Sequence, residues 1–524
     1  MTNRLPKNSI WPTTALMISC CLSGCAGLPT PHQQRAFPTR VANRDAKSAN
    51  SVKTERAEVE RNEDGRIFVK LVSNIYDLED VEPGDLAALE GEQQTIDLSN
   101  ALAMGGASNV QVQIARQKVV QAHADLRQAR ALWLPSLRFG VGWTKHDGRI
   151  QATNGDIVEA GRNSLFVGGG AGLGDAPLQG GAGGPPRLMV SLSLADAIFE
   201  PYVANRLLEA QTAAESATHN NSLADIALAY VNLVEAQGMI ANTRLGLDGS
   251  NRLLEITKIF EGQGQGSISE VNRAETEAAR WKQRISDAKR ISNAQNAELV
   301  RLLRLPAKTK LTPAEDKVVP LEFFDESLVL DALLAEGTSN RPEIAERLAH
   351  LEAAEERLCQ EHWRPWLPNV QVGATGGTFG GGQSANFGSQ GSRGDVEVLA
   401  VWELRNLGHG IIASRQKRRS ELQVAQIKIE AAEERISAEI VRYTGDVASY
   451  SEQINSAMDA VESAGKSYQL NLERLRVGDG LPIELLQAIQ ARVSALNSYT
   501  KAVADYNRAQ IQLRRATGKP VIGE

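Results

Sequence analysis

Cysteine is nearly missing from this 524-residue chain: of four cysteines, three lie at or before residue 25, which leaves Cys359 alone in everything that follows. No intramolecular disulfide framework is open to that part, so packing has to supply its stability. Proline does not occur between Pro368 and Pro482. No apolar run approaches the roughly 18 residues a membrane helix needs, so if the chain crosses a membrane it does so with strands. Neither sign of charge dominates: the net charge is −6 and acids and bases are interspersed, which gives no nucleic-acid footprint. The seven histidines never form a metal-ligand pair at helical spacing. The glycine clusters around Gly168 and Gly380 lack the strand-to-helix setting of a phosphate-binding loop. Nothing converges on a catalytic constellation, so no enzyme, metal or cofactor is expected.

What is there, first of all, is helical periodicity. Leu422, Ala425, Ile429, Ala432, Ile436, Ile440, Tyr443, Val447, Tyr450, Ile454, Ala457, Val461, Ala464, Tyr468, Leu472 and Leu475 recur at steps of three and four, the seam of a coiled coil. Gly478-Asp479-Gly480 offers the left-handed backbone a helix end favours. Pro482 then fits the first turn of a return helix seamed by Leu485, Ile489, Leu496, Val503, Tyr506 and Leu513. At 1.5 Å per residue the first of these helices would be roughly 100 Å long, longer than an ordinary globular domain is wide.

The N-terminus points to export. Arg4 and Lys7 precede an apolar run from Ala15 to Cys21, and Leu22-Ser23-Gly24-Cys25 resembles a lipoprotein cleavage box, whose cysteine is lipidated and becomes residue one. Residues 1–24 are thus expected to be a signal peptide, with palmitate or a similar lipid on Cys25. An ordinary secretory signal with a chance cysteine is the alternative. In lipoproteins of this kind, Ala26 after the cysteine implies sorting to the outer membrane. Residues 25–94 are polar and proline-bearing, with too little apolar surface to offset the entropy of ordering, and read as a tether.

From Ile96 to Leu134 the pattern is helical and stops at Pro135. The period then drops to two: Leu137, Phe139, Val141 and Trp143 alternate with Arg138, Gly140, Gly142 and Thr144, as in a membrane strand with lipid on one side. A hairpin of a soluble sandwich would alternate similarly. Residues 145–186 read as a Gly-rich loop, and Leu188, Val190, Leu192 and Leu194 as a second strand. A long helix is expected from Tyr202 to about Glu261, then a Gly-rich tip, a Ser267-to-Glu270 capping box and a return helix to Leu305.

The second half repeats the first. Gly264-x-x-Ser267-x-x-Glu270-Val271-x-x-Ala274 lines up with Gly478-x-x-Leu481-x-x-Glu484-Leu485-x-x-Ala488 at an offset of 214 residues. Trp133-Leu134-Pro135 answers Trp366-Leu367-Pro368. Val370, Val372 and Ala374, a Gly-rich loop over 376–394, and Val396, Val398, Ala400, Trp402 and Leu404 supply two more strands. Repeats over 95–305 and 341–524 are expected, joined by an equatorial linker over 306–340.

Four strands are too few to close a barrel, and an open edge in lipid would leave backbone groups unsatisfied, so the chain is expected to assemble with copies of itself. In duplication, Leu-Pro strand entries, tips and the terminal Arg515-Ala516-Thr517-Gly518, residues 95–520 resemble the outer-membrane efflux channels, the TolC-like family. The resemblance implies a mainly helical fold with a membrane β-barrel. A homotrimer would complete twelve strands above a coiled-coil α-barrel in the periplasm. It also implies partners, a periplasmic adaptor and an inner-membrane pump of an efflux or type I secretion system. By the same resemblance, Glu484, with Glu270 as its counterpart, marks the periplasmic gate. The family's next acidic position is Gln487, and its tyrosine and arginine lock positions are Leu475 and Gly480. Val477, Gly478, Asp479, Gly264 and Ser267 mark the adaptor-contacting tips. Each has a plainer alternative: a first-turn carboxylate favoured by the helix dipole, or a simple turn. Arg415, Lys417, Arg418 and Arg419 read as a solvated face or a headgroup contact. The competing function is a non-conducting, lipid-anchored coiled-coil spacer, which would have no use for four alternating strands.

Overall fold

The computed structural model describes residues 59–61, 67–69, 93–173, 191–315, 318–324, 329–382 and 389–521. Cys25, the signal peptide, and the Leu188 and Val190 positions of the expected second strand lie outside the described residues. The chain forms two units, Met1–Asp85 and Leu86–Glu524. In the first, β1 (Val59–Arg61) pairs antiparallel with β2 (Ile67–Val69) inside the stretch read as a tether.

The second unit begins with β3 (Gln93–Ile96), then α1 (Leu98–Ser108) and α2 (Val110–Ala131). The sequence suggested one helix from Ile96, but Asn109 breaks it: its backbone is extended and its side chain accepts from the Gln111 amide at 2.8 Å, a cap placed inside the run. Ile96 instead belongs to β3, which pairs parallel with β7 (Lys310–Pro313) in the linker.

Strands β4 (Pro135–Gln151) and β5 (Ile157–Leu173) form a hairpin closed by Ala152 to Asp156. The sheet continues to β8 (Asn369–Gly382) and β9 (Ser389–Val401) in the order β4-β5-β8-β9. The short β6 (Ser191–Ser193) pairs with β8 on the same edge that β5 occupies from Asn163 to Gly172. The strands are thus longer than expected, and much of both Gly-rich "loops" is sheet. The cause is aromatic packing over cross-strand glycines. A Cβ at Gly169 would sit 2.5 Å from the Phe139 ring, one at Gly377 2.6 Å from Phe166, and one at Gly391 3.3 Å from Phe379. The alternation itself holds: Phe139 is 80% exposed and Val398 71%, large apolar side chains turned to the surface of this chain. Trp402 and Leu404 fall beyond β9, ahead of a short 3-10 turn over Arg405–Gly408.

The helices α3 (Leu194–Gly262) and α7 (His409–Arg476) have 69 and 68 residues, so each is roughly 100 Å long. Near the sheet, α3 packs between α2 and α6 (Pro342–Trp363), and α6 also touches α7. Toward the far end, α3 packs between α4 (Ile268–Leu303) and α8 (Pro482–Ala516), and α8 against α7. α3 starts earlier than expected and carries Pro201 inside it. Proline lacks the N–H that would bond the carbonyl four residues back, and that carbonyl, on Ala197, accepts instead from Trp133 Nε1 at 3.0 Å. One stretch of α3 is long and apolar enough to cross a membrane by composition, but it is mostly buried. Leu223, Ile226, Leu233 and Val234 lie in a core with Ile96, Leu102, Leu299, Leu311 and Ile511.

The equator is tied to α8 by two buried amides. Asn507 accepts from the Leu321 amide at 2.7 Å and donates to Val319 O at 2.9 Å, and Gln510 accepts from the Phe324 amide at 3.2 Å. Below the start of α6, buried Arg341 bonds Glu439 on α7 at 2.7 Å and Glu343 at 3.3 Å. Partial burial pushes the Glu439 carboxyl up, but the hydrogen bonds and charges of Arg341 and Arg435 outweigh it and hold it below the ordinary 4.5. A lowered folded-state value means stability that is fully present above 4.5 and is lost as pH falls from there through the lowered value. Glu439→Gln is expected to lower the unfolding temperature at neutral pH and to remove this part of the acid-side decline, read as unfolding temperature against pH.

Candidate functional site

The two hairpin tips are structural copies. α3 and α7 end the same way: Gly264 N–H bonds Glu261 O at 2.9 Å and Gln265 N–H bonds Phe260 O at 2.9 Å. Gly478 N–H bonds Leu475 O at 3.1 Å and Asp479 N–H bonds Arg474 O at 2.9 Å. Gly264 and Gly478 have φ of +73° and +80°, the left-handed region where a Cβ is costly. Two residues on, Gly266 and Gly480 lie against the preceding helix end. A Cβ at Gly480 would approach Leu475 N to 2.9 Å, and one at Gly266 would approach Glu261 N to 3.0 Å. The 214-residue repeat thus records a turn geometry that glycine alone satisfies at two points.

Both candidate gate carboxylates occupy the third position of their helices, where they satisfy a free amide at the helix start. Glu270 accepts from the Ser267 amide at 3.3 Å, while the Ser267 hydroxyl accepts from the Ser269 amide at 3.2 Å. Glu484 accepts from the Leu481 amide at 3.4 Å and also pairs with Arg474 at 3.3 Å, and Arg474 donates to Asp479 O at 3.1 Å. Arg474, which the sequence reading did not single out, therefore joins the end of α7, the tip and the start of α8. The helical phase could have found it, since it stands ten residues before Glu484 across a known turn.

Gln487 is exposed one turn further along α8. Leu475 points inward, 0% exposed, into a core with Leu253, Trp281, Tyr468, Leu472, Leu485 and Ile489. With Leu475 buried and Gly480 without a side chain, neither lock position carries a side-chain hydrogen-bonding atom. The tips present apolar side chains outward: Val477 is 78% exposed, Leu481 59% and Ile268 60%. Asp479 is exposed between them.

At the other end of the helices, tryptophans mark the passage from helix to strand. Trp402 Nε1 donates to Trp366 O at 3.3 Å, as Trp133 does to Ala197 O, and Trp133, Trp366 and Trp402 are all exposed. Arg364 ties the ends of α6 and α3 together, bonding Asp196 at 2.5 Å and Glu361 at 3.2 Å. Burial lowers the Arg364 pKa but Asp196 and Glu361 outweigh it, so its guanidinium stays charged. Among the described residues no group of three or more His, Cys, Asp or Glu side chains could hold a metal ion.

The model of the outer membrane efflux protein family matches residues 333–519, from α5 (Leu330–Asn340) to the end of α8. No curated protein matches the chain by sequence. Among solved structures, the outer membrane protein VceC from Vibrio cholerae matches with a TM-score of 0.64 at 16% identity, over 80% of this chain and 96% of that one. The outer membrane channel CmeC of Campylobacter jejuni matches with 0.64 at 15% identity, over 80% and 85%. The open state of the Neisseria gonorrhoeae outer membrane channel MtrE matches with 0.62 at 16% identity, over 81% and 89%. Residues 333–519 are similar to the outer membrane efflux protein family, and over 80% of its length the chain has the fold of these solved outer-membrane proteins.

Proposed function

We propose that this chain is the outer-membrane channel component of a tripartite efflux or type I secretion system. It would carry substrates from an inner-membrane pump and a periplasmic adaptor to the exterior. The observation that carries this reading is the sheet: β4 and β9 each pair on one side only among the described residues, and both turn apolar side chains outward. Such a sheet is stable in a bilayer only when its two edges meet the edges of other copies. Two copies would give about eight strands, whose interior fills with side chains, whereas three give about twelve and an aqueous lumen. The family resemblance implies a homotrimer, whose helices would continue the conduit into the periplasm. The exposed Val477, Leu481 and Ile268 at the tips, with Asp479, suit contact with the adaptor.

Glu484, Glu270 and Gln487 line the periplasmic entrance on this reading. Capping does not remove the charge of Glu484, so three copies around an axis attract cations and repel one another. Arg474 offsets part of that charge from within the same protomer. In planar bilayers, purified protein is expected to show discrete, cation-preferring conductance, and Glu484→Gln to lower the cation preference and change the fraction of time open. A folded oligomer that never conducts, with or without Glu484→Gln, would favour a spacer.

Lipidation of Cys25 would add an anchor in the outer membrane. Labelled palmitate is expected on the wild-type chain and not on Cys25→Ala, and label that survives the substitution would remove the anchor.

A further inference from the structure

We infer that the groove between α6 and α7, on the sheet side of the equator, binds a polyanion carrying two or more phosphate groups. The groove has a volume of about 570 Å³ and takes Arg347, His350 and Arg357 from α6, and Lys417, Glu421 and Lys428 from α7. Four fixed cations therefore face one carboxylate. That carboxylate is already held on its own helix, since Glu421 bonds Arg418 at 2.7 Å and lies 4.0 Å from Lys417. Arg357 and Lys428 form no ion pair with a carboxylate among the described residues.

The imbalance comes from how α6 sorts its charges. Its Glu352 faces α3, where it pairs with Arg206 at 3.0 Å. Glu346 is turned to Arg347 at 3.7 Å and His350 at 3.9 Å. Within this groove α6 is left with Arg347, His350 and Arg357, while its Glu355 lies in the neighbouring groove with Arg415 and Arg419 of α7. Partial burial lowers the His350 pKa, Glu346 raises it, and Arg347, Lys428 and Arg357 lower it further, so the cations of both helices converge on one imidazole.

The spacing of the charges indicates what fits. The helices run antiparallel here, α6 toward the sheet and α7 away from it, which puts Arg357 beside Lys417 at one end of the groove and Arg347 beside Lys428 at the other. Ten or eleven residues separate the two pairs along each helix, which at 1.5 Å per residue is about 15 Å. Ala354, Val424 and Ala425 lie between them and leave the middle open. Paired cations at two levels match a phosphate chain, or a phospholipid assembly presenting several headgroups, better than one small anion. Guanidinium and ammonium groups both bind phosphate, the former through two parallel hydrogen bonds. The inference does not depend on conduction, and its test reads binding alone.

The probe is a linear polyphosphate of about ten units, titrated against the purified full-length chain in a non-ionic detergent by calorimetry. Wild type is expected to bind saturably and more weakly as salt is raised. Arg357→Gln with Lys428→Gln is expected to weaken binding at least tenfold. Neither side chain has an acidic partner to lose, and Lys428→Gln alone, at an exposed position, is expected to weaken binding at least threefold should the double variant fail to fold. On saturation the His350 ring should titrate at a higher pH, because a bound anion stabilises the imidazolium, a change that a purely structural groove would not show. A lipid source is distinguished by native mass spectrometry: anionic phospholipid retained by wild type and lost from the double variant identifies headgroups as the occupant. Groove-dependent binding in either arm supports the site. Equal binding by wild type and variants, or none in both arms, overturns it.

Discussion

The structure depends on what happens to the backbone hydrogen-bonding groups along two strand edges. In a bilayer core an unpaired N–H or C=O has no water to turn to. Among the described residues β4 and β9, of 17 and 13 residues, each leave one edge open, on a sheet whose outward face is apolar. On the proposed membrane reading one chain cannot satisfy both conditions by itself, and neighbouring copies would have to cover the two edges. The Trp133, Trp402 and Arg364 contacts tie the passage from helix to strand together.

Much of this was legible in the residues. The seam of α7, the repeat of the tips and the alternation of Leu137, Phe139, Val141 and Trp143 rest on periods that local sterics enforce, and each element stands where its period put it. The length of the strands was not legible. Glycine is a turn signal when read alone, and only cross-strand neighbours reveal that Gly169, Gly377 and Gly391 are spaces for aromatic rings. The same blindness to tertiary partners hid the helical start at Leu194. Pro201 reads as a boundary until Trp133 supplies the hydrogen bond it removes. Asn109 was missed for the opposite reason, since apolar spacing continues straight through its cap.

The two tip carboxylates show how one side chain can serve two ends. Glu270 and Glu484 both satisfy helix-start amides, a local duty that explains their presence without any channel. Only Glu484 has in addition a cross-hairpin ion pair, to Arg474, so the two tips are alike in backbone and unlike in charge. The lock positions point the same way. Leu475 adds to the core of the tips instead of reaching a neighbour, and Gly480 has no room for a side chain. Neither position carries the side-chain atoms that a tyrosine and arginine latch would need.

Amide hydrogen exchange along β4 and β9, in detergent-solubilised protein, tests the closure of the sheet most directly. In each of these strands alternate N–H groups face the edge that no described strand of the same chain covers. Closure on neighbouring copies predicts that these amides exchange as slowly as those in the middle of β8, which is paired on both sides. Rapid exchange at every second residue of β4 and β9, with β5 and β8 protected, would contradict it.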